Sequence, residues 1–285
     1  MKINTRRIAR ALEPLALGLM LATAFTPAPQ DRLDVSTKAL TARAAAYVAD
    51  YQVKFAFLVG KERYSQTVFR SGRTQQRSMS GDLFLVFMPT DRDWIAVHDV
   101  AEIDGQPVPD RDSLQTLLHL GEVTRVAQQV ANRNATFNIG SVERNFNEPT
   151  LALLVLGEKR IGQFRFDRRD LTEQDGVQLA TLAFTEHDRP TIIRDEANDN
   201  PIYSKGEIVI ETATGRVRHT VMNFKSGSVQ ASLSTDYVPE DRLGLWVPGS
   251  FSERYVLAVK QEVETTTCQA TYSDYRRFEV TGRIK

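Results

Sequence analysis

The spacing of apolar residues predicts one helix followed by a long series of β-strands. A run of good helix formers follows Ser36. Its larger apolar residues recur every three or four positions and therefore share one helical face: Leu40, Ala44, Tyr47 and Tyr51. By contrast, Val229–Tyr237 alternates apolar and polar residues, which is the pattern of a strand with one face in a core and the other in water.

Two apolar segments predict the first strands. Val53–Val59 places Phe55 and Phe57 on one side of a strand, and Leu83–Met88 is apolar throughout, so that we expect packing on both of its faces. Trp94–Ile103 predicts the next strand, and the Asp-Gly pair behind it predicts a tight hairpin turn. Further strands are predicted at Tyr64–Arg70, Ile161–Arg168, Gly176–Thr185, Lys205–Glu211, Val217–Phe224, Trp246–Val259 and Cys268–Val280.

The pattern becomes helical between residues 110 and 156 and ends in an apolar segment, Thr150–Leu156, that predicts one or two buried helical turns. Short turns separate the later strands, which implies antiparallel pairing. No repeat and no linker interrupts the chain. We therefore predict an α+β fold: a large curved antiparallel β-sheet, or half-open barrel, wrapped around helices, with a helical insertion near 110–156. Residues 29–285 form a single domain in this interpretation.

The first 28 residues have the pattern of an export signal. Four basic residues and no acid occupy the first ten positions, an apolar core follows at Leu15–Phe25, and Ala22-Thr-Ala24 supplies small residues for cleavage. The core is shorter than the roughly 20 residues that a membrane span requires. No cysteine follows it, so that lipoprotein acylation is not expected. We expect a cleaved signal peptide (1–28) and a soluble periplasmic or secreted protein without a transmembrane segment.

Charge and cysteine content narrow the classes of function. The chain has 36 basic and 36 acidic residues, and without residues 1–28 its net charge is about −3, which argues against nucleic-acid binding. Cys268 is the only cysteine, so that the chain has no internal disulfide. No His or Lys nearby would support a thiolate, and we interpret Cys268 as a small buried residue on a strand.

Searches for catalytic and cofactor motifs are negative. The chain has no glycine-rich nucleotide loop, no G-x-S-x-G and no H-E-x-x-H, and no two of its four histidines have metal-ligand spacing. We therefore predict no catalytic residue, no metal and no cofactor, and we expect that the protein is not an enzyme, with an exported hydrolase that has a polar cleft as the remaining alternative. A polar turn at Arg70–Arg77 carries three arginines that could contact a protein partner or a lipid head group: Arg70, Arg73 and Arg77.

Two stretches near the end of the chain resemble the LolA/LolB-like superfamily of periplasmic lipoprotein carriers and outer-membrane lipoprotein-sorting proteins. The final strand contains Tyr272-Ser-Asp-Tyr-Arg-Arg-Phe278, and Gly244-Leu-Trp-Val-Pro248 precedes Glu253-Arg-Tyr255. The resemblance also covers the order of elements, a leader and a first helix followed by continuous antiparallel strands. It implies a bent sheet around helices and an apolar cavity that holds acyl chains. The chain differs from the carriers in its insertion at 110–156.

Two hypotheses about function follow. In the first, a periplasmic carrier binds a lipid or an acylated protein in an apolar cavity, and the aromatic and aliphatic residues of the first strands line it: Phe55, Phe57, Leu83, Leu85, Phe87 and Trp94. In the second, the core is filled by side chains, and the protein is an interaction module of the cell envelope that contacts a protein partner through its edge strands or its arginine turn. Lipid that accompanies the purified protein would distinguish them.

Overall fold

The computed structural model describes residues 33–54, 57–88, 93–109, 130, 132–142, 144, 148–195 and 198–277, which belong to one compact unit beginning at Leu33. Helix α1 spans Thr37–Lys54. Ser36 caps it, since its Oγ accepts a hydrogen bond from the N–H of Ala39 at 3.3 Å. The predicted helix and its buried face are confirmed, with Val48 rather than Tyr47 among the fully buried residues: Leu40, Ala44, Val48 and Tyr51.

Thirteen strands are present in the described residues. They are β1 Leu58–Arg70, β2 Arg73–Met88, β3 Asp93–Ile103, β4 Gln106–Pro107, β5 Phe164–Gln174, β6 Val177–Glu186, β7 Ile193–Arg194, β8 Pro201–Ile202, β9 Ser204–Glu211, β10 Val217–Ser226, β11 Val229–Glu240, β12 Leu245–Val259 and β13 Glu262–Arg277. Eleven of them form one sheet in the order β4-β3-β2-β1-β13-β12-β11-β10-β9-β6-β5, while β7 and β8 pair separately. Every neighbouring pair is antiparallel, which confirms the predicted α+β fold with its large open antiparallel sheet.

Tight turns connect several strands. At Ser71-Gly72, Asp104-Gly105 and Asp175-Gly176, both central residues have positive φ, between 49° and 76°. This backbone matches the twist of the flanking strands, and glycine accepts it without a steric penalty. The turn predicted at Asp104-Gly105 is therefore confirmed.

The core lies on one side of the sheet, which we call the inner face because α1 and a 3-10 helix pack there. The 3-10 helix spans Leu151–Leu156 and buries all six of its residues, as the sequence predicted for this segment. The carbonyl of Pro149, just before it, accepts hydrogen bonds from Thr235 Oγ1 at 2.8 Å and from the Tyr237 hydroxyl at 3.0 Å. These bonds hold the segment against β11.

Helix α1 crosses the inner face from one half of the sheet to the other. Before its first turn, Arg168 of β5 donates a hydrogen bond to the carbonyl of Val35 at 2.7 Å. At its end, Arg277 of β13 donates to the carbonyl of Lys54 at 2.9 Å. Within the described part of the chain, no helix combines the length and apolar character needed to cross a membrane.

Several predicted boundaries were wrong. Val53–Val59 is not a strand: α1 continues to Lys54, and β1 begins only at Leu58, after Phe57 with a φ of 61°. The arginine turn is shorter than predicted, because only Ser71-Gly72 turns and Arg73 already lies on β2. Of the predicted insertion, 110–129 lies outside the described residues, and 132–135 is helical.

Candidate functional site

The inner face changes from apolar to polar along β1, β2 and β3. Leu58 of β1 pairs in register with Leu85 of β2, which pairs with Ala96 of β3, and we call these three residues the apolar row. Two positions along each strand, Gly60, Leu83 and His98 form a middle row. Glu62 lies two positions further along β1. Since side chains on one face repeat every second residue, these rows are neighbours on the same surface.

The apolar row and Leu83 belong to the main hydrophobic core. Leu58 is 1% exposed, and Leu83 and Leu85 are fully buried in the same cluster as the apolar face of α1. Phe84, between the two β2 leucines, is buried as well. The prediction that this part of the chain packs on both faces is therefore confirmed for Leu83–Leu85.

Glu62 and His98 form a buried pair above the leucines. Their Oε2 and Nδ1 atoms lie 2.7 Å apart, and the two residues are 6% and 8% exposed. The side-chain amide of Asn134 donates a hydrogen bond to the backbone carbonyl of His98. The described helical residues 132–135 are thereby attached to β3.

Arg144 covers the next part of the inner face. It is 4% exposed, and its Nη1 donates to the carbonyl of Ile139 at 2.9 Å. Its Nη2 donates to Gln66 Oε1 at 2.5 Å and to Asn138 Oδ1 at 3.2 Å. Gln66 is buried on β1, so that these bonds fix Asn138, Ile139 and Arg144 over the polar part of the sheet.

A second buried carboxylate, Glu253 of β12, lies beside this cluster. It accepts hydrogen bonds from the hydroxyls of Tyr64 at 2.9 Å and Tyr255 at 2.6 Å. Burial raises the pKa of Glu253, while the two phenols and the charges of Arg144 and His98 oppose that rise. Burial also raises the pKa of both tyrosines well above the usual value, so that both donate hydrogen bonds at neutral pH.

Cys268 of β13 packs against the same group and is fully buried. Burial and the charge of Glu253 raise the pKa of its thiol to about 12. Because the thiolate is the reactive form, this cysteine is inert at neutral pH. The interpretation of Cys268 as a small buried residue on a strand is confirmed.

A partly enclosed cavity of about 70 Å³ lies between β1–β3 and the described residues 134–142 and 144. Glu62, His98, Asn134 and Arg144 contribute polar groups to its wall, and Ala96 links it to the apolar row. Three buried polar atoms on this wall have no hydrogen-bond partner: Glu62 Oε1, Asn134 Oδ1 and Arg144 Nε. Buried polar atoms without a hydrogen-bond partner are rare in protein interiors, and three such atoms around one cavity indicate a binding site for a polar molecule.

Among the described residues, one group of side chains has the order of a catalytic triad. No group of three or more metal-binding side chains occurs in the described part of the chain. On the outer face, Asp236 Oδ1 lies 2.7 Å from His219 Nδ1, and His219 Nε2 lies 3.4 Å from Ser234 Oγ. The three groups follow the order of a hydrolytic triad, but the Asp236 side chain is 61% exposed, whereas the carboxylate of such a triad is buried. We assign this trio no catalytic role.

The predicted cavity-lining residues divide into two groups. Leu83 and Leu85 lie side by side with Leu58 on the inner face, and Phe57 is partly buried just before β1. Phe55 and the side chains of Phe87 and Trp94 lie outside the described residues. A lining role for any of the six stays a prediction.

Two of the predicted partner-binding arginines make contacts within the protein. Arg70 forms an ion pair with Glu262 of β13 at 2.7 Å, and Arg77 donates to the carbonyl of Phe137 at 2.8 Å. Arg73 is exposed directly opposite Arg70 in the β1–β2 register. The three share a hairpin, as predicted, and a partner-binding role stays a prediction.

Sequence reasoning did not find Glu62, Arg144 or Glu253. They lie on distant segments, and only the register of the sheet brings them together: Tyr64 and its partner Glu253 are 189 positions apart in the chain. A single signal was present, since a carboxylate that falls at the apolar positions of an alternating strand is rarely buried without a partner. Glu62 and Glu253 both occupy such positions.

No protein-family model and no curated protein matches the sequence. Among solved structures, the chain is similar to a LolA superfamily protein from Nitrosomonas europaea, at 12% identity over 86% of this chain and 95% of the other, with a TM-score of 0.32. A domain named for outer membrane lipoprotein sorting, from Vibrio parahaemolyticus, is 12% identical over 85% and 94% of the two chains, with a TM-score of 0.37. The lipoprotein LppX of Mycobacterium tuberculosis is 10% identical over 86% and 100%, with a TM-score of 0.28. Solved proteins named for the LolA superfamily and for lipoprotein sorting are thus among those to which the chain is similar, and the function is argued below from the chain's own side chains.

Proposed function

We propose that the protein is an exported, non-catalytic binding protein of the cell envelope that takes up an amphiphile, either a lipid or the acyl chain of a lipid-modified protein. The apolar part of the ligand lies on the inner face of β1–β3, along the apolar row and Leu83. Its polar part points toward Glu62 and the cavity beside it. The protein then acts as a carrier, and no bond is made or broken.

The observation that carries this proposal is the gradient along β1. Leu58 belongs to the apolar row, and Glu62, four residues further on the same face, contributes a carboxylate. At about 3.4 Å per residue, the two positions are about 14 Å apart along the strand. An apolar surface that gives way to buried polar groups over this distance is complementary to a molecule with a hydrocarbon chain and a polar head.

Binding of an acyl chain requires the groups that pack on the inner face to move. The cavity of about 70 Å³ is far smaller than the roughly 300–1,000 Å³ of typical ligand sites. Leu83 and Leu85 have no exposed surface. A bound acyl chain therefore displaces groups that pack on these leucines in the ligand-free protein, as the opening of a lid does in many ligand-binding proteins.

The first experiment is native mass spectrometry of the protein purified from its producing cells, followed by solvent extraction of any mass that accompanies it. Affinities are then measured for lysolipids with one head group and increasing chain length. Each methylene removed from water contributes about 0.8 kcal/mol, so that we expect affinity to rise about fourfold per methylene. Affinity that does not depend on chain length would contradict the proposal and would favour the filled-core interaction module.

A substitution locates the binding surface. Leu85→Glu places a carboxylate in the apolar row and should abolish lysolipid binding, because an unpaired buried charge is strongly unfavourable. Leu171→Glu, at a partly exposed position of the edge strand β5, is the matched control. If Leu85→Glu does not fold by circular dichroism, Leu85→Ala is used, and a change in the preferred chain length is expected. Wild-type affinities in a folded Leu85 variant would refute this location.

A further inference from the structure

The cavity beside the apolar row has buried polar groups in its wall. Its wall includes the carboxylate of Glu62 and the amide of Asn134 on one side and the guanidinium of Arg144 on another. Glu62 and Arg144 are both more than nine-tenths buried. The cavity adjoins Ala96 of the apolar row, so that a head group placed here would belong to a chain lying on the leucines.

The unsatisfied atoms on the wall define what the cavity accepts. Oε2 of Glu62 is engaged by His98, whereas Oε1 has no partner within hydrogen-bond distance. The buried Tyr272 hydroxyl also lacks one, and it lies near enough for this carboxylate to add to the rise in the pKa of Tyr272 that burial causes. The bond from Asn134 Nδ2 to the His98 carbonyl orients the amide, so that the free atom is the acceptor Oδ1. Both terminal nitrogens of Arg144 donate hydrogen bonds within the protein, so that only its Nε has no partner. The wall therefore presents two free acceptors, one of them on a carboxylate, and a single free donor.

We propose that this cavity binds the protonated primary amine of an ethanolamine-type lipid head group, an inference that rests on the proposed function. An ammonium group carries three donors and a positive charge, which suits Glu62 Oε1 and Asn134 Oδ1. Arg144 Nε is left to donate to an oxygen of the adjoining phosphate. A trimethylammonium head has no N–H donor.

The volume of the cavity also favours a primary ammonium group over a trimethylammonium group. An apolar cavity of about 150 Å³ holds benzene, and this cavity has about half that volume. Such a volume suits an ammonium group with one or two carbon atoms better than the bulkier trimethylammonium group. Discrimination therefore arises both from unsatisfied acceptors and from steric exclusion.

The test compares lyso-phosphatidylethanolamine with lyso-phosphatidylcholine of identical acyl chain, by isothermal titration calorimetry on the full chain without its leader. We expect the ethanolamine lipid to bind at least about tenfold more tightly, since a hydrogen bond to a charged group is typically worth that much. Glu62→Gln, which keeps the shape and removes the charge, should lower the ratio, because only the steric part of the discrimination is retained. Glu102→Gln, an exposed carboxylate of β3 bonded to Ser80, is the matched control and should leave the ratio unchanged.

Ethanolamine alone supplies a readout that does not depend on an acyl chain. It should raise the melting temperature of the wild type and of Glu102→Gln but not of Glu62→Gln, because a ligand that binds only the folded state stabilises it. Asn134→Ala serves as the second variant if Glu62→Gln fails to fold, and it should lower the lipid ratio.

The outcomes separate the two proposals. Equal affinity for both lysolipids, together with no thermal shift by ethanolamine, overturns the amine site and leaves the carrier function standing. If neither lysolipid binds while ethanolamine shifts the wild type but not Glu62→Gln, the carrier function fails and the amine site is supported. If neither lysolipid binds and ethanolamine has no effect, both are overturned, and the cavity holds water only.

Discussion

The substitution Gly215→Ala tests how tightly α1 is held over the inner face. Gly215 lies in the turn between β9 and β10 with a φ of 72°. A Cβ atom at this position would lie 2.3 Å from the carbonyl oxygen of Arg43 and 2.7 Å from the amide nitrogen of Ala44, both in the backbone of α1. These atoms can give way only if the helix itself shifts.

Two costs add at this position. A residue other than glycine in the left-handed region lowers the free energy of unfolding by about 1–2 kcal/mol. Forcing a methyl group into a packed contact lowers it by about a further 1–3 kcal/mol. Gly227, in the turn between β10 and β11, has a φ of 55° and nothing within 4 Å of its hypothetical Cβ. Gly227→Ala therefore incurs only the first cost and is the matched control.

Urea unfolding followed by circular dichroism measures the two losses under identical conditions. We expect Gly215→Ala to lower the free energy of unfolding by about 2–5 kcal/mol and Gly227→Ala by about 1–2 kcal/mol. Equal losses in the two variants would show that the turn does not press against α1 and would refute this description of the helix contact.

Two further predictions concern the buried groups beside the cavity. Because the pKa of Glu253 is raised in the folded protein, protonation of this carboxyl stabilises the fold below its ordinary pKa of 4.5, and this contribution is lost as the pH rises through the higher folded pKa. The free energy of unfolding of Glu253→Gln, relative to that of the wild type, should therefore increase from pH 4.5 upward. A difference that is independent of pH would contradict the assignment. Cys268, with its pKa raised to about 12, should react with a thiol reagent at neutral pH only at the rate of unfolding, and prompt labelling of the native protein would show that β13 is not closed over it.

The sequence was informative wherever a local pattern decides the structure. Val229–Tyr237 alternates as predicted, with Ala231, Leu233 and Tyr237 buried. Asp104-Gly105 forms the predicted turn because its two positive φ values suit aspartate and glycine. These features depend on a few neighbouring residues and therefore need no knowledge of the remaining chain.

Prediction failed where local patterns compete or where distant segments meet. The apolar alternation of Val53–Val59 suits a strand, but the helix started at Thr37 continues to Lys54, whose Nζ pairs with Asp50 one turn earlier at 2.7 Å. The candidate site depends on contacts between β1, β3 and the 134–144 segment. Spacing along the chain contains no information about such contacts.

The pairing of β1 with β13 has a consequence for the order in which the molecule folds. β13 joins the four strands β1–β4 to the rest of the sheet, and its partners on β1 are about 200 residues away in the chain. Closing so long a loop is entropically costly and slow, and it has to wait until the last strand has been synthesised. Until this pairing forms, Leu58, Leu83 and Leu85 are separated from the core residues of the other half of the sheet, so that the surface that we propose for acyl chains is also one that the unfolded chain must keep from aggregating.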